Sequence, residues 1–441
     1  MAKKVRIGKL KEQARNLSGA DPLTALKIVW RLVDVAPQDI ENHVMAADIL
    51  AALGASDAAK QVYEATAVYA IRSGHPLVAL VLAKVLEDRF GAQVMSLYQH
   101  LAAEYGAGSP KISKRGQRMA PEHPDTEIAP PDLDTDIAPA AVMAGAAKAA
   151  ADFSRIVGYP QALHPIALLS ELPPDAFVAL CEKLTAHRLP PGAMVIREGE
   201  MGRSFFWLAL GAVRVYKTDL RGTQTDLARL GEGALFGEMA LIQASPRTAS
   251  VQALADTDLL EIQAKDLANM ADHLDKVALA LDRFGRDRLL SNLMATSPIF
   301  RPFNRQQRLD LLRRFSGHEV SAGTVVVNEG DEGRGLYVVL SGEMEVTKEQ
   351  EGRQIPLARL KSGDLFGEIS LIKGFPATAT VKAAKQSTVL FLDRVYFQRL
   401  VDALPEIRKL FEDMTQERLA DTSLLLSDDL VIEEADELVL I

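Results

Sequence analysis

The stretch LFGEMALIQASPRTASV occupies residues 235–251, and the chain writes it again as LFGEISLIKGFPATATV at 365–381. Ten of the seventeen positions are identical, yet Arg247 in the first copy faces Ala377 in the second. Phe236 ends a strand-like pair, and Gly237 permits a sharp turn or a close backbone approach. Glu238 then opens a short apolar segment that fits about one helical turn, whose free N–H groups and dipole favour an anion. Nine residues later comes Arg247, whose planar fork suits a phosphate held by two hydrogen bonds. A plain Glu–Arg salt bridge is the competing reading. A glycine, a helix start and an arginine in one loop favour a phosphate cradle, with Glu238 left to accept from hydroxyls.

Outward from this stretch the duplication continues. Gly192, Gly199, Gly202 and Gly211 recur at Gly323, Gly330, Gly333 and Gly342, a constant offset of 131 that has become 130 by the quoted stretch. Residues 189–263 and 320–393 alternate in polarity, with glycines at turns, as strands do. Between the copies, Leu267, Met270, Leu274, Val277, Leu281 and Phe284 follow the spacing of a coiled-coil seam. A helix over about 265–295 is therefore expected, either packed on its own β-domain or joining two copies of the chain as a homodimer. A last helix (about 405–426) leads to the acidic, aliphatic tail 427–441.

The pattern F-G-E-x-[AS]-L-[LI]-x-x-x-P-R-[TA]-A-[ST]-V resembles the phosphate-binding cassette of cyclic-nucleotide-binding domains, found in catabolite activator proteins, gated channels and kinase regulatory subunits. PPGAMVIREGEMGRSFFWLALGAVRV and SAGTVVVNEGDEGRGLYVVLSGEMEV are similar to the glycine-punctuated strands of that β-roll. The resemblance covers about 165–295 and 297–425. It implies that Arg247 pairs with the cyclic phosphate of cAMP or cGMP and Glu238 with the ribose 2′-hydroxyl. Gly237, Met239 and Ala240 would offer backbone contacts beside Phe236, with Thr248 and Ser250 near phosphate or base; Thr248 hints weakly at guanine. In the second copy Phe366, Gly367, Glu368, Leu371 and Thr378 keep the shape, but Ala377 cannot bind a phosphate. Losing one partner of a desolvated charge pair costs about 2–5 kcal/mol. Three readings stay open there: a structural partner for the first domain, a pocket for another ligand, or another cation such as Lys373 in place of the arginine.

Upstream, residues 21–105 read as helices punctuated by Pro22, Pro37, Gly54, Gly74, Pro76 and Gly91, with helical stripes at Leu26, Val29, Trp30 and Val33 and at Val44, Ala47, Leu50 and Ala51. The hairpin around Gly54, with Ala46, Ala47, Ala58 and Ala59, loosely resembles tetratricopeptide units; a plain helical bundle is the alternative. Residues 106–150 are expected as a flexible linker. It carries a basic cluster, KISKRGQRMAP, and the phrases DTEIAP and DTDIAP, read as low complexity before docking peptides. From Ala141 a helix resumes.

At 441 residues the length suits about three domains, and 48% hydrophobic residues supply several cores. A net charge of −9 argues against nucleic acid or anionic lipid as a partner. The single cysteine, Cys181, lies in the apolar run FVALCEKL and is expected in a core; it suits a reducing compartment. No apolar run approaches a membrane span, and no signal sequence follows the basic N-terminus, so a cytoplasmic protein is expected. The histidines lack metal-ligand spacing, GEGALFG misses the G-x-G-x-x-G register, and no nucleophile elbow or kinase signature is present. The expectation is α+β and multidomain: a tetratricopeptide-like helical domain (1–105), linker (106–150), domain A (151–295), domain B with a degenerate cassette (296–426) and tail (427–441). Its function is expected to be that of a non-enzymatic cyclic nucleotide receptor signalling to protein partners through the helical domain, linker or tail. A docking scaffold and a kinase regulatory subunit are the alternatives.

Overall fold

The computed structural model describes residues 4–133, 135–219, 221–238, 246–269, 275–277, 303, 304, 307, 311 and 314–426. It divides into two compact units, 1–284 and 285–441.

The first unit opens with strand β1 (Val5–Arg6) and helices α1 (Ile7–Leu17), α2 (Pro22–Val35), α3 (Ile40–Ala52), α4 (Ser56–Ser73), α5 (Pro76–Phe90) and α6 (Met95–Tyr105). Their boundaries follow local chemistry. Asp21 caps α2 by accepting from the Thr24 N–H, with proline at the first turn. Gly74 and Gly91 end α4 and α5 in the left-handed conformation.

Residues 106–150, expected as a flexible linker, instead fold back onto these helices. Strand β2 (Ile112–Gln117) follows α6; β3 (Glu127–Ile128) pairs with β1, and helix α7 (Pro139–Ala151) packs on α2, α3 and α4. The small residues that suggested low complexity are what permits this. Gly145 lies so close to the Trp30 ring that a Cβ there would sit 2.3 Å from it. Both ring nitrogens of buried His43 meet backbone carbonyls at 2.8 Å, Ala150 from α7 and Pro37 from the α2–α3 turn. The basic cluster is fastened as well: Gln117 N–H donates to Ala162, Met119 N–H to Ser73, and Leu163 N–H to Lys111.

Helix α8 (Pro174–Lys183) leads into the first β-roll: β4 (Thr185–Leu189), β5 (Met194–Ile196), β6 (Ser204–Leu210), β7 (Ala212–Thr218), β8 (Gln224–Gly231), β9 (Leu235–Phe236), β10 (Ser250–Ala253) and β11 (Thr257–Gln263). Two four-stranded antiparallel sheets result, ordered β4-β11-β6-β9 and β5-β10-β7-β8. Phe206, Leu208 and Leu259 face the space between the sheets. Phe205, Trp207, Leu260 and Ile262, on the opposite face, join one core with the helices. The helical domain is thus not a separate body: it shares a core with the roll, and β6 is covered on both faces. Arg188 ties the junction, donating to Asp48 of α3 at 2.5 and 2.9 Å and to Asp258 of β11 at 3.0 Å. Cys181 is buried in this core.

After β11 a short helix, α9 (Ala264–Ala268), begins the expected 265–295 segment, and Leu267 and Val277 are buried in the first unit's core. Met270, Leu274, Leu281 and Phe284 lie outside the described residues, as does the 427–441 tail.

The second unit repeats the roll with β12 (Ser316–Val320), β13 (Val325–Val327), β14 (Gly335–Ser341), β15 (Met344–Gln350), β16 (Arg353–Leu360), β17 (Leu365–Phe366), β18 (Thr380–Ala383) and β19 (Ser387–Asp393). Helices α10 (Glu368–Lys373), α11 (Arg394–Ala403) and α12 (Pro405–Leu426) complete it. Its sheets are ordered β12-β19-β14-β17 and β13-β18-β15-β16, matching the first roll strand for strand.

Candidate functional site

In the first roll, β9 pairs with β6 and places the Phe236 ring against Phe206, centroids 5.5 Å apart. Gly237 then turns the chain with φ +84°, a conformation that side chains disfavour. A Cβ there would lie 2.9 Å from Nη1 of Arg247 and 3.1 Å from Ile196. Glu238 follows, 2% exposed. Met239 and Ala240 lie outside the described residues.

Arg247 returns to the same place from the far side of the loop. Its backbone is fixed first: its N–H donates to Glu200 O at 2.7 Å, and its carbonyl accepts from Gly199 N–H at 2.9 Å. Its side chain is buried. Nη1 donates to the Gly237 carbonyl, and Nη2 to the Ser204 carbonyl at 2.6 Å. Burial pulls the guanidinium pKa down, while Glu261, Glu238 and Glu200 act to raise it. Thus the residues singled out as Phe236, Gly237, Glu238 and Arg247 do converge. The buried arginine is compensated by two carbonyls, so it does not by itself demand a ligand charge. Ser250 is also buried, but its hydroxyl accepts from Glu198 N–H at 3.0 Å. Thr380 does the same for Glu329 N–H at 3.1 Å in the copy without an arginine, which identifies a structural task common to both rolls. Thr248 is exposed.

The model of the family described as "Cyclic nucleotide-binding domain" matches residues 186–273 and 318–403, one span in each roll. Each β-roll thus matches the cyclic nucleotide-binding domain over most of its strands. The chain is 30% identical over 53% of its length to a cAMP-dependent protein kinase regulatory subunit of Yarrowia lipolytica, covering 58% of that protein. It is 28% identical over 58% of its length to the corresponding subunit of Eremothecium gossypii, covering 52% of it. The chain thus spans little more than half of these relatives. The regulatory domain of Toxoplasma gondii PKA with cAMP is 23% identical, covers 57% of this chain and 92% of that one, and gives a TM-score of 0.28.

The second cyclic nucleotide-binding domain keeps the cassette backbone. Ala377 N–H donates to Asp331 O and its carbonyl accepts from Gly330 N–H, both at 2.8 Å, the same two bonds that Arg247 makes. Gly367 is left-handed at φ +87°, and Glu368 is 1% exposed. Only the guanidinium is gone from that position. Ala377 is itself buried, while Thr378 is half-buried and gives its carbonyl to Lys348 at 2.9 Å. Lys373, considered as a substitute cation, is exposed at the end of α10. The cation that reaches this cassette was missed in the sequence. Arg418 of α12 donates to Glu368 Oε1 and to the Leu365 carbonyl, both at 2.7 Å. Fifty residues separate Arg418 from Glu368 along the chain, and no local spacing signals the contact.

Among the described residues, no group of three or more His, Cys, Asp or Glu side chains is placed to hold a metal, and no helix is long and apolar enough to cross a membrane.

Proposed function

We propose that the chain is a receptor for a cyclic nucleotide, cAMP or cGMP, whose ligand site is the cassette of domain A. The supporting observation is the convergence of left-handed Gly237, buried Glu238 and buried Arg247 within a domain that matches the family model. The Arg247 fork would exchange its protein carbonyls for phosphate oxygens. Glu238 would accept from the ribose hydroxyl, and the residues at 237–240, with Thr248 at the rim, would complete the site. Domain B, lacking that fork, would be a folded partner whose Glu368 is engaged by Arg418.

The output would pass to the helical domain, because its core is continuous with the sheet that carries β6 and β9. His75 at the start of α5 bonds Glu232 at 2.7 Å, three residues before β9. Protein partners would read the helical face, a role for which this chain needs no active site of its own. Calorimetric titration of the nucleotide-stripped full chain tests the reading. One cyclic nucleotide per chain is expected, and no heat from either nucleotide overturns it.

The relatives' names raise a second reading, a regulatory subunit of a cyclic-nucleotide-dependent kinase. The basic cluster 111–121 is where an inhibitory segment would be sought, and its backbone is bonded to 73 and 162–163 within the first unit. A kinase that co-purifies and is released by cyclic nucleotide would favour that reading.

A further inference from the structure

We propose that Ser204 and Glu261 are positioning residues for Arg247, holding its guanidinium in place from the floor of the domain A cassette, with His187 anchoring Glu261. This rests on the reading of domain A as the ligand site and deepens it.

Strand register puts these groups on one face. Ser204 of β6 lies opposite Gln263 of β11, and Phe206 opposite Glu261, so Ser204 and Glu261 are diagonal neighbours on the side that faces the roll interior. Nη2 of Arg247 donates to the Ser204 carbonyl at 2.6 Å and lies 3.4 Å from its hydroxyl oxygen. That hydroxyl shares the face with Glu261, one diagonal step away across the strand pair, and the Glu261 carboxylate and the Arg247 guanidinium attract one another there. The other end of the chain is His187 of β4, whose Nε2 lies 2.8 Å from Glu261 Oε2. Glu261 makes no direct ion pair with Arg247. It acts through its field, beside the Ser204 carbonyl and hydroxyl that meet Nη2 directly.

The duplication supplies an internal control. By strand pairing, Ser204, Phe206, Glu261 and His187 correspond to Gly335, Tyr337, Phe391 and His318. The second roll has therefore lost the serine, the glutamate and the arginine together, while keeping the histidine. Its Phe391 ring packs on Tyr337 at 5.0 Å and lies where a side chain on Gly335 would go: a Cβ there would be 2.4 Å from the ring. Glutamate and serine are absent where Ala377 puts no guanidinium in the place of Arg247, and an apolar ring fills the space. A general structural need of the roll would have kept them in both copies.

The test uses the full chain with cAMP and cGMP, in a double-mutant cycle between Glu261→Gln and Arg247→Lys, a change that keeps the charge and removes the fork. Glu261→Gln is expected to weaken binding about tenfold in the native background, the scale of one hydrogen bond to a charged group. It should have little effect once Arg247 is lysine. Equal weakening in both backgrounds would assign Glu261 a general structural role and overturn the proposal. A second readout needs no ligand: in arginine-15N-labelled protein, the Arg247 side-chain resonance, assigned by its disappearance in Arg247→Lys, should shift in Glu261→Gln and in Ser204→Ala. An unmoved resonance overturns the proposal. If the native chain binds neither nucleotide, the receptor reading fails, and the resonance still decides whether Glu261 positions the arginine.

Discussion

Arg247 shows how a charge is kept ready inside a folded domain. An uncompensated buried guanidinium would be costly, so two carbonyls, Gly237 and Ser204, accept from it. Its affinity for a ligand phosphate would then be a difference between two sets of acceptors. On the proposed reading, the phosphate would win because it carries charge and presents two oxygens to the fork. Arg247→Ala should therefore lower cyclic nucleotide affinity by about thirty- to several-thousand-fold, the consequence of losing about 2–5 kcal/mol from a desolvated charge pair. The same change leaves two carbonyls without their donor, so the thermal midpoint should fall by a few degrees while the circular dichroism spectrum is retained. Calorimetry and a melting curve on one sample check both. Unchanged affinity would remove domain A from the ligand site.

At the scale of elements, a helix closes onto the second cassette. Helix α12 brings Arg418 onto Glu368, a buried carboxylate whose second oxygen, Oε2, has no hydrogen-bond partner. Arg418→Ala should loosen the helix from the roll, and hydrogen exchange across 405–426 should accelerate while that of β14 and β19 holds. Exchange unchanged along α12 would mean that its apolar contacts, Ile407 and Phe411 among them, suffice alone. Helix α1 is fastened to α3 by Lys11 and Arg15 on Glu41. Burial pushes the Glu41 pKa up, but these two cations more than offset it, and the net shift is downward. A depressed carboxylate pKa stabilises the fold above the ordinary glutamate range, and that contribution is lost as the pH falls through it. As the pH falls below about 5, past the free glutamate pKa of about 4.3, the native chain should lose more stability than Glu41→Gln. Parallel melting curves for the two proteins would disprove the linkage.

Over the whole of the first unit, the decisive feature is a sheet with two covered faces. Phe205 and Trp207 are fully buried against the helical domain, while Phe206 and Leu208 are buried inside the roll. Each large apolar side chain contributes about 1.5–3 kcal/mol when buried. Removing residues 1–105 would expose Phe205, Trp207, Leu260 and Ile262 as one apolar patch, which favours association. The fragment 152–284 should bind a hydrophobic dye and aggregate, whereas 1–284 should not. A soluble, monomeric 152–284 that leaves the dye dark would show that the helical domain is dispensable to the roll.

The repeat itself made much of this legible. Glycine offsets, the paired cassettes and the exchange of Arg247 for Ala377 are local patterns, and local patterns carry turn geometry and residue chemistry directly. They identified two matching rolls and brought Gly237, Glu238 and Arg247 to one place. What the sequence could not carry were contacts made across long separations. SFFWLAL reads as a strand, but nothing in it says that one face meets a second domain. The alanine- and proline-rich 106–150 segment reads as linker because its order comes from the groove it fills, with Gly145 on Trp30 and Ala150 on His43. No local pattern singles out Arg418 or Glu261. Only the folded chain, which brings α12 to one cassette and β11 beneath the other, gave each of them a partner, because charge pairing depends on distance in space and not along the chain.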